Sequence, residues 1–203
     1  VFRTAIKTAL LNSVDINHVD AVANGRIAVQ KLQQNHYDGV TLDLEMPVMD
    51  GQETIIEIRK FNKEIPIIVF SAVSLQAATK TFKALELGAN DFVQKLQNST
   101  DVNENLKMIE HEVVPRFRAL TKHKLKPVEK KEVQTIKKKE SGSFFKADLI
   151  CIGSSTGGPD ALKNIFKQLG QINVPILLVQ HMPPIFTTQL AAGLDKISTV
   201  EVR

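Results

Sequence analysis

Cysteine is nearly absent from this chain. Cys151 is the only one, so no disulfide forms within the chain, and no Cys/His cluster suited to zinc is present. A reducing, cytoplasmic setting is the expectation. Long apolar runs are missing too. None approaches the roughly 18 residues of a membrane span, and no signal peptide is recognised, so no membrane insertion is expected. The first residue is Val1, not Met, which suggests that residues precede it.

Positive charge is scarce outside one stretch. The net charge is +4, but residues 122–146 hold nine lysines against three glutamates. Outside that stretch, the totals of 26 basic and 22 acidic residues fall to 17 and 19. A chain that grips nucleic acid carries its charge on a folded face, and no aromatic residues interleave with these lysines. With Pro127 and the break Ser141-Gly142-Ser143, the stretch reads as a flexible, solvated linker, and no nucleic acid is expected as a partner.

The rest of the chain has ample apolar content. At 203 residues and 43% hydrophobic, one large or two small domains are feasible. Helical spacing over residues 1–12 (Ala5, Ile6, Ala9, Leu10) is followed by a strand candidate at 18–23 and a second helix to about residue 34. Three short apolar strands then alternate with helices: 37–44, 65–70 and 91–94. A last helix, with Leu106, Ile109, Val113 and Phe117 on one face, fades near Leu120. This rhythm predicts a doubly wound α/β domain, a parallel sheet covered on both faces, with ligands outside the carboxyl ends of the strands.

Asp43, Ser71 and Lys95 each end one of those strands. Alone, each has an ordinary reading: a turn acid, a helix N-cap, a solvated ammonium. Together, a carboxylate, a hydroxyl and an ammonium at one edge suit a phosphoryl site. The run Asp43-Leu44-Glu45-Met46-Pro47-Val48-Met49-Asp50-Gly51, followed by Ser71 and Lys95, resembles the receiver domain of bacterial response regulators. The resemblance covers residues 1–121. It implies a flavodoxin-like fold with Asp43 as phosphoacceptor, Ser71 sensing the phosphoryl group and Lys95 pairing with it. By the same resemblance Phe92 is an aromatic switch, and Asp43 with the backbone carbonyl of Glu45 helps hold Mg²⁺. The family's first strand and acidic pair have no counterpart here, and Leu96 stands where proline is usual. The domain is therefore expected to be incomplete.

A second α/β unit opens near residue 147. Residues 147–152 read as a strand, Pro159 opens a helix, residues 174–180 form another strand, and His181-Met182-Pro183-Pro184 follows. The intervening Gly153-Ser154-Ser155-Thr156-Gly157-Gly158-Pro159 fits G-x-S-x-G, the spacing of a nucleophile elbow. A phosphate cradle is the alternative, although the turn lacks the lysine of a P-loop. One βαβ unit places Ser155 and His181, 26 residues apart, at the same sheet edge, the start of a nucleophilic hydrolase site.

These two motifs, the second read as Gln180-His181-Met182-Pro183-Pro184, behind a receiver and a linker, resemble the CheB family of chemotaxis protein-glutamate methylesterases. The implied architecture is a receiver at 1–121, a linker at 122–146 and the front of a Rossmann-like catalytic domain at 147–203. The resemblance makes Ser155 the nucleophile and His181 its base, with backbone N–H groups at Thr156 and Gly157 as oxyanion donors. It implies demethylation of chemoreceptor glutamates, deamidation of receptor glutamines, a chemotaxis histidine kinase as phosphodonor, and no cofactor for the esterase. The third, acidic member has no counterpart here, and neither Asp160 nor Asp195 matches its motif. A monomer is expected. The rival readings are a catalytically dead, receiver-linked regulator that acts by binding only, and a DNA-binding regulator suggested by the lysines alone.

Overall fold

A computed structural model describes residues 2–14, 16–72, 74–95, 102–125 and 147–203. Strand β1 spans Val40–Asp43, β2 spans Ile67–Ser71 and β3 spans Asp91–Gln94. They form a parallel sheet in the order β1-β2-β3, with Asp43 opposite Phe70 and Ser71 opposite Gln94. Every residue of β2 is buried. Its side chains alternate: Ile67 and Val69 pack with Leu42, Ile55 and Ile58, whereas Ile68 and Phe70 pack with Ala5, Ala9 and Val113. A period of two, apolar on both sides, is what a strand covered on both faces requires.

The covering helices are α1 (Phe2–Leu11), α2 (Gly25–Gln34), α3 (Gly51–Phe61) and α4 (Leu75–Leu87). Three have side-chain N-caps. Asn24 accepts from the Ile27 N–H, Ser74 from Ala77, and Asp50 forms a full capping box with Glu53. Next comes one helical run: α5 (Val102–Met108), a π-helical turn (Ile109–Val113) and α6 (Val114–Leu125). Ile109 and Val113, at the two ends of the π turn, both face the core, each fully buried.

The second sheet pairs β4 (Ile150–Ser154) with β5 (Ile176–Gln180) in parallel, Ser154 opposite Gln180. Helix α7 (Gly158–Gln168) is the crossover, and α8 (Pro184–Asp195) follows β5. Leu162 and Phe166 of α7 pack on Leu190 and Leu194 of α8. Phe186 of α8 is fully buried in the apolar cluster of the first sheet, with its ring centroid 4.5 Å from Phe92 and 6.3 Å from Phe82. No helix among the described residues is long and apolar enough to cross a membrane.

Several expectations need correction. Residues 18–23 are not a strand: no strand lies beside them among the described residues, so they have no ladder partner. Side chains hold them instead, with Arg3 Nη1 on the Val22 carbonyl (3.2 Å) and both Tyr37 Oη (2.5 Å) and Lys31 Nζ (2.9 Å) on Asp20. Strand β4 runs past Gly153 to Ser154, and α6 continues to Leu125, into the stretch expected to be linker. Residues 126–146, the rest of that stretch, lie outside the described residues, as does Leu96.

Arg59 ties the end of α3 to the loop before β3. Its guanidinium donates to the carbonyls of Gly88 (2.7 Å), Ile65 (2.8 Å) and Asn62 (3.0 Å) and to Asn90 Oδ1 (3.2 Å). Burial pulls its pKa below the usual arginine value. Arg59→Met strips three carbonyls of a donor and should cost about 3 kcal/mol in urea unfolding; an unchanged midpoint would show that water replaces the guanidinium there.

Candidate functional site

Two sets of polar side chains gather at strand ends. In the first sheet, Lys95 Nζ donates to both carboxylate oxygens of Asp43, at 2.8 and 2.7 Å, and the Glu45 N–H donates to Oδ1 at 3.1 Å. Ser71, only 2% exposed, donates to the Ala72 carbonyl (3.1 Å) and accepts from Thr81 Oγ1 (2.6 Å). Lys80 reaches back from α4 to Glu45 (3.1 Å). A small cleft of about 20 Å³ lies among Asp43, Ser71, Lys80 and Lys95. All three expected strand-end residues thus line one cavity. Thr81 and Lys80 were not singled out in the sequence. Thr81 had a signal: it shares the buried face of α4 with Ala78, Ala84 and Leu85, and a hydroxyl on such a face needs a partner.

In the second sheet the parallel ladder continues one step past the strands, with the His181 N–H on the Ser154 carbonyl (2.9 Å). That bond fixes where the two chains leave the sheet. Ser155 Oγ then sits 3.3 Å from His181 Nδ1. With Nδ1 facing the hydroxyl, a neutral imidazole that accepts from it carries its own proton on Nε2. Gly157 turns the chain into α7 at φ 69°, a conformation suited to glycine. The Gly158 N–H closes the turn on the Ser155 carbonyl (2.8 Å).

A cleft of about 870 Å³ separates the two sheets. Ser155, Thr156 and His181 line one wall, and Asp91, Lys95 and Arg116 the other. Lys95 borders both this cleft and the small one around Asp43. At its edge the Gly157 N–H donates to Asp91 Oδ2 (3.1 Å), while Asp91 Oδ1 accepts from its own neighbour, the Phe92 N–H (2.8 Å). Burial pushes the Asp91 carboxyl above the ordinary carboxylate range, against the pull of those N–H groups and of Arg116. Arg116 Nε stands 3.4 Å from Asp91 Oδ2, an ion-pair distance without hydrogen-bond geometry. Phe92, expected as a switch, faces Phe186 across the boundary between the sheets. Asp195 accepts from the Val202 N–H (2.9 Å). Asp91 was not anticipated; its signal was an acid opening the apolar strand Asp91-Phe92-Val93.

A raised carboxyl pKa favours the protonated form in the buried position. The resulting stabilisation is complete below the exposed value near 3.8 and is lost as pH rises through the raised value. The unfolding free energy should therefore fall across that window, and Asp91→Asn should flatten the slope; an identical slope in the variant would assign it to other groups.

Comparison with known proteins shows which family the chain resembles in each part. Residues 1–107 match the profile of the response regulator receiver domain, and residues 150–203 that of CheB methylesterase. A protein-glutamate methylesterase/protein-glutamine glutaminase of Trichodesmium erythraeum is 36% identical over 212 residues, covering 100% of this chain and 59% of that protein. One from Bacillus licheniformis is 38% identical over 200 residues, covering 92% and 56%. The chain thus spans somewhat more than half the length of these relatives. The response regulator domain of Thermotoga maritima CheB, a solved structure, is 27% identical with a TM-score of 0.51, covering 59% of this chain and 87% of that domain.

Receiver domains generally use Mg²⁺ for phosphorylation. Among the described residues no group of three His, Cys, Asp or Glu could hold a metal ion, and Lys95 engages both oxygens of Asp43. Asp43 and the Glu45 carbonyl do not make a Mg²⁺ set by themselves.

Proposed function

Because the chain belongs to the CheB family of receiver-linked methylesterases, we propose that its full-length gene product hydrolyses glutamate methyl esters on chemoreceptors and deamidates receptor glutamines. The observation that carries this reading is the 3.3 Å approach of Ser155 Oγ to His181 Nδ1. His181 takes the hydroxyl proton as Oγ bonds to the ester carbonyl carbon. The negative charge on the carbonyl oxygen is met by backbone N–H groups at the start of α7. Collapse breaks the bond to methoxide, which leaves as methanol with the proton from His181. Water, deprotonated by the same imidazole, then frees the glutamate and regenerates Ser155.

Regulation follows from β3. Its first residue, Asp91, holds the Gly157 N–H; the next, Phe92, packs on Phe186; and Lys95, just past its end, holds Asp43. One short strand therefore touches the phosphoacceptor site, the α7 turn and the apolar seam between the sheets. A phosphoryl group on Asp43, supplied by a chemotaxis histidine kinase, gives Lys95 and Ser71 new oxygens to bind. The resulting shift of β3 releases the grip of Asp91 on the turn, a coupling between two sites. Until then Asp91 occupies an N–H that the oxyanion needs, and the receiver wall narrows access to Ser155.

In the full-length protein, Ser155→Ala should abolish methanol release from methylated receptor membranes, and normal release by this variant would overturn the reading. Asp91→Ala should raise the activity of the unphosphorylated enzyme several-fold and shrink its stimulation by phosphodonor; unchanged basal activity with full stimulation would remove Asp91 from the coupling.

A further inference from the structure

Gln180 ends β5, directly before His181, and its side chain turns toward the Ser155 turn. Its Oε1 accepts from Ser154 Oγ. Its Nε2 donates to the Ser155 carbonyl (3.0 Å) and to the His181 carbonyl (3.2 Å). One carboxamide thereby joins the backbone on both sides of the Ser155–His181 pair. The glycine just after the motif makes room for it: a Cβ on Gly158 would fall 2.0 Å from Gln180 Oε1. A side chain at Gly158 would therefore displace the Gln180 carboxamide, 22 positions away in the sequence.

The consequence follows from peptide planarity. The Ser155 carbonyl and the Thr156 N–H belong to one trans peptide unit, so they point in opposite directions. The Ser155 carbonyl is held twice, by the Gly158 N–H at 2.8 Å and by Gln180 Nε2 at 3.0 Å. Whatever holds that oxygen also aims the Thr156 N–H, the donor just after the nucleophile, where the oxyanion of an elbow-type site forms. The second Nε2 bond fixes the peptide that follows His181 in the same way.

We infer that Gln180 is a positioning residue for the ester hydrolysis: its carboxamide clamps the 155–156 peptide so that the Thr156 N–H faces the developing oxyanion. The inference rests on the reading of Ser155 as nucleophile. The clamp acts on the transition state more than on substrate binding, because a ground-state ester carbonyl carries little charge for that donor to meet. Gln180→Met keeps the length of the side chain and removes both its donor and its acceptor. Gln180→Glu keeps the acceptor for Ser154 and sets an oxygen against two carbonyl oxygens. Ser154→Ala keeps Gln180 and frees its Oε1.

The test is steady-state methanol release from methylated receptor membranes by the phosphorylated full-length protein. Gln180→Met should lower kcat about 10- to 100-fold, below the loss of a whole oxyanion donor, with KM within about twofold. Gln180→Glu should fall further, and Ser154→Ala only about 3- to 10-fold. In Gln180→Met the pH dependence of kcat/KM should keep its midpoint, since the substitution exchanges one uncharged side chain for another. A kcat within threefold of wild type in both Gln180 variants overturns the inference, as does a matching rise in KM, or a displaced pH midpoint in Gln180→Met. If the Gln180 variants fail to fold, Ser154→Ala decides alone: an unchanged kcat overturns the inference. Ser155→Ala in the same assay tests the underlying reading separately, because retained activity there sinks the nucleophile itself.

Discussion

Parallel pairing is the constraint on which both sites depend. Strands that run the same way deliver their last residues to one edge, whatever the side chains are. β1 and β2 bring Asp43 and Ser71 there, and the chain just beyond β3 brings Lys95. β4 and β5 do the same for Ser155 and His181, and the bond from the His181 N–H to the Ser154 carbonyl carries the ladder to the point of departure. The chemistry is carried by side chains, but the distance between them is set by backbone register. A slip of one residue in β5 would turn His181 to the other face of the sheet.

The second organising feature is that polar contacts at the active turn come from three separate places. Ser154 and the Gly157-Gly158 pair belong to the turn itself, Gln180 to the neighbouring strand, and Asp91 to the other sheet. The first two hold the turn in shape, and the third takes up one of its N–H groups from outside. Local geometry and remote control therefore meet on a few consecutive peptide units. A helix N-terminus is suited to this, because its N–H groups have no partners within the helix and bind whichever acceptor is presented.

What was legible in the sequence was periodic or punctuated. The range of α4, between the Ser74 cap and Gly88, and the short β3 follow directly from apolar spacing and glycine placement. Asp43, Ser71, Lys95, Ser155 and His181 stood out because each follows an apolar run. The strand expected at 18–23 has the composition of a strand, but a strand exists only by pairing, and no local pattern reports a partner. The π turn at Ile109–Val113 was equally hidden, since Ile109 and Val113 also fit an ordinary helical face. Thr81 and Asp91 were passed over, and Gln180 was read as part of a motif without a role of its own, for a common reason. A polar residue at the end of an apolar run, or on a helix face, shows no role until the acceptor or donor opposite it is known, and those partners lie 10, 66 and 26 positions away.

Phe186 gives the arrangement a further property. It belongs by chain to the second unit and by packing to the first, filling a socket walled by Phe82 and Phe92. A unit that borrows an aromatic ring from its neighbour lacks a complete interior of its own. Separating the two units would bare two phenylalanines on the first and one on the second, so separation carries a hydrophobic penalty. Under the proposed regulation, the ring that joins the two units adds to the work that activation has to do. Replacing it with a smaller apolar side chain would loosen the joint while leaving Asp43, Ser155 and His181 untouched.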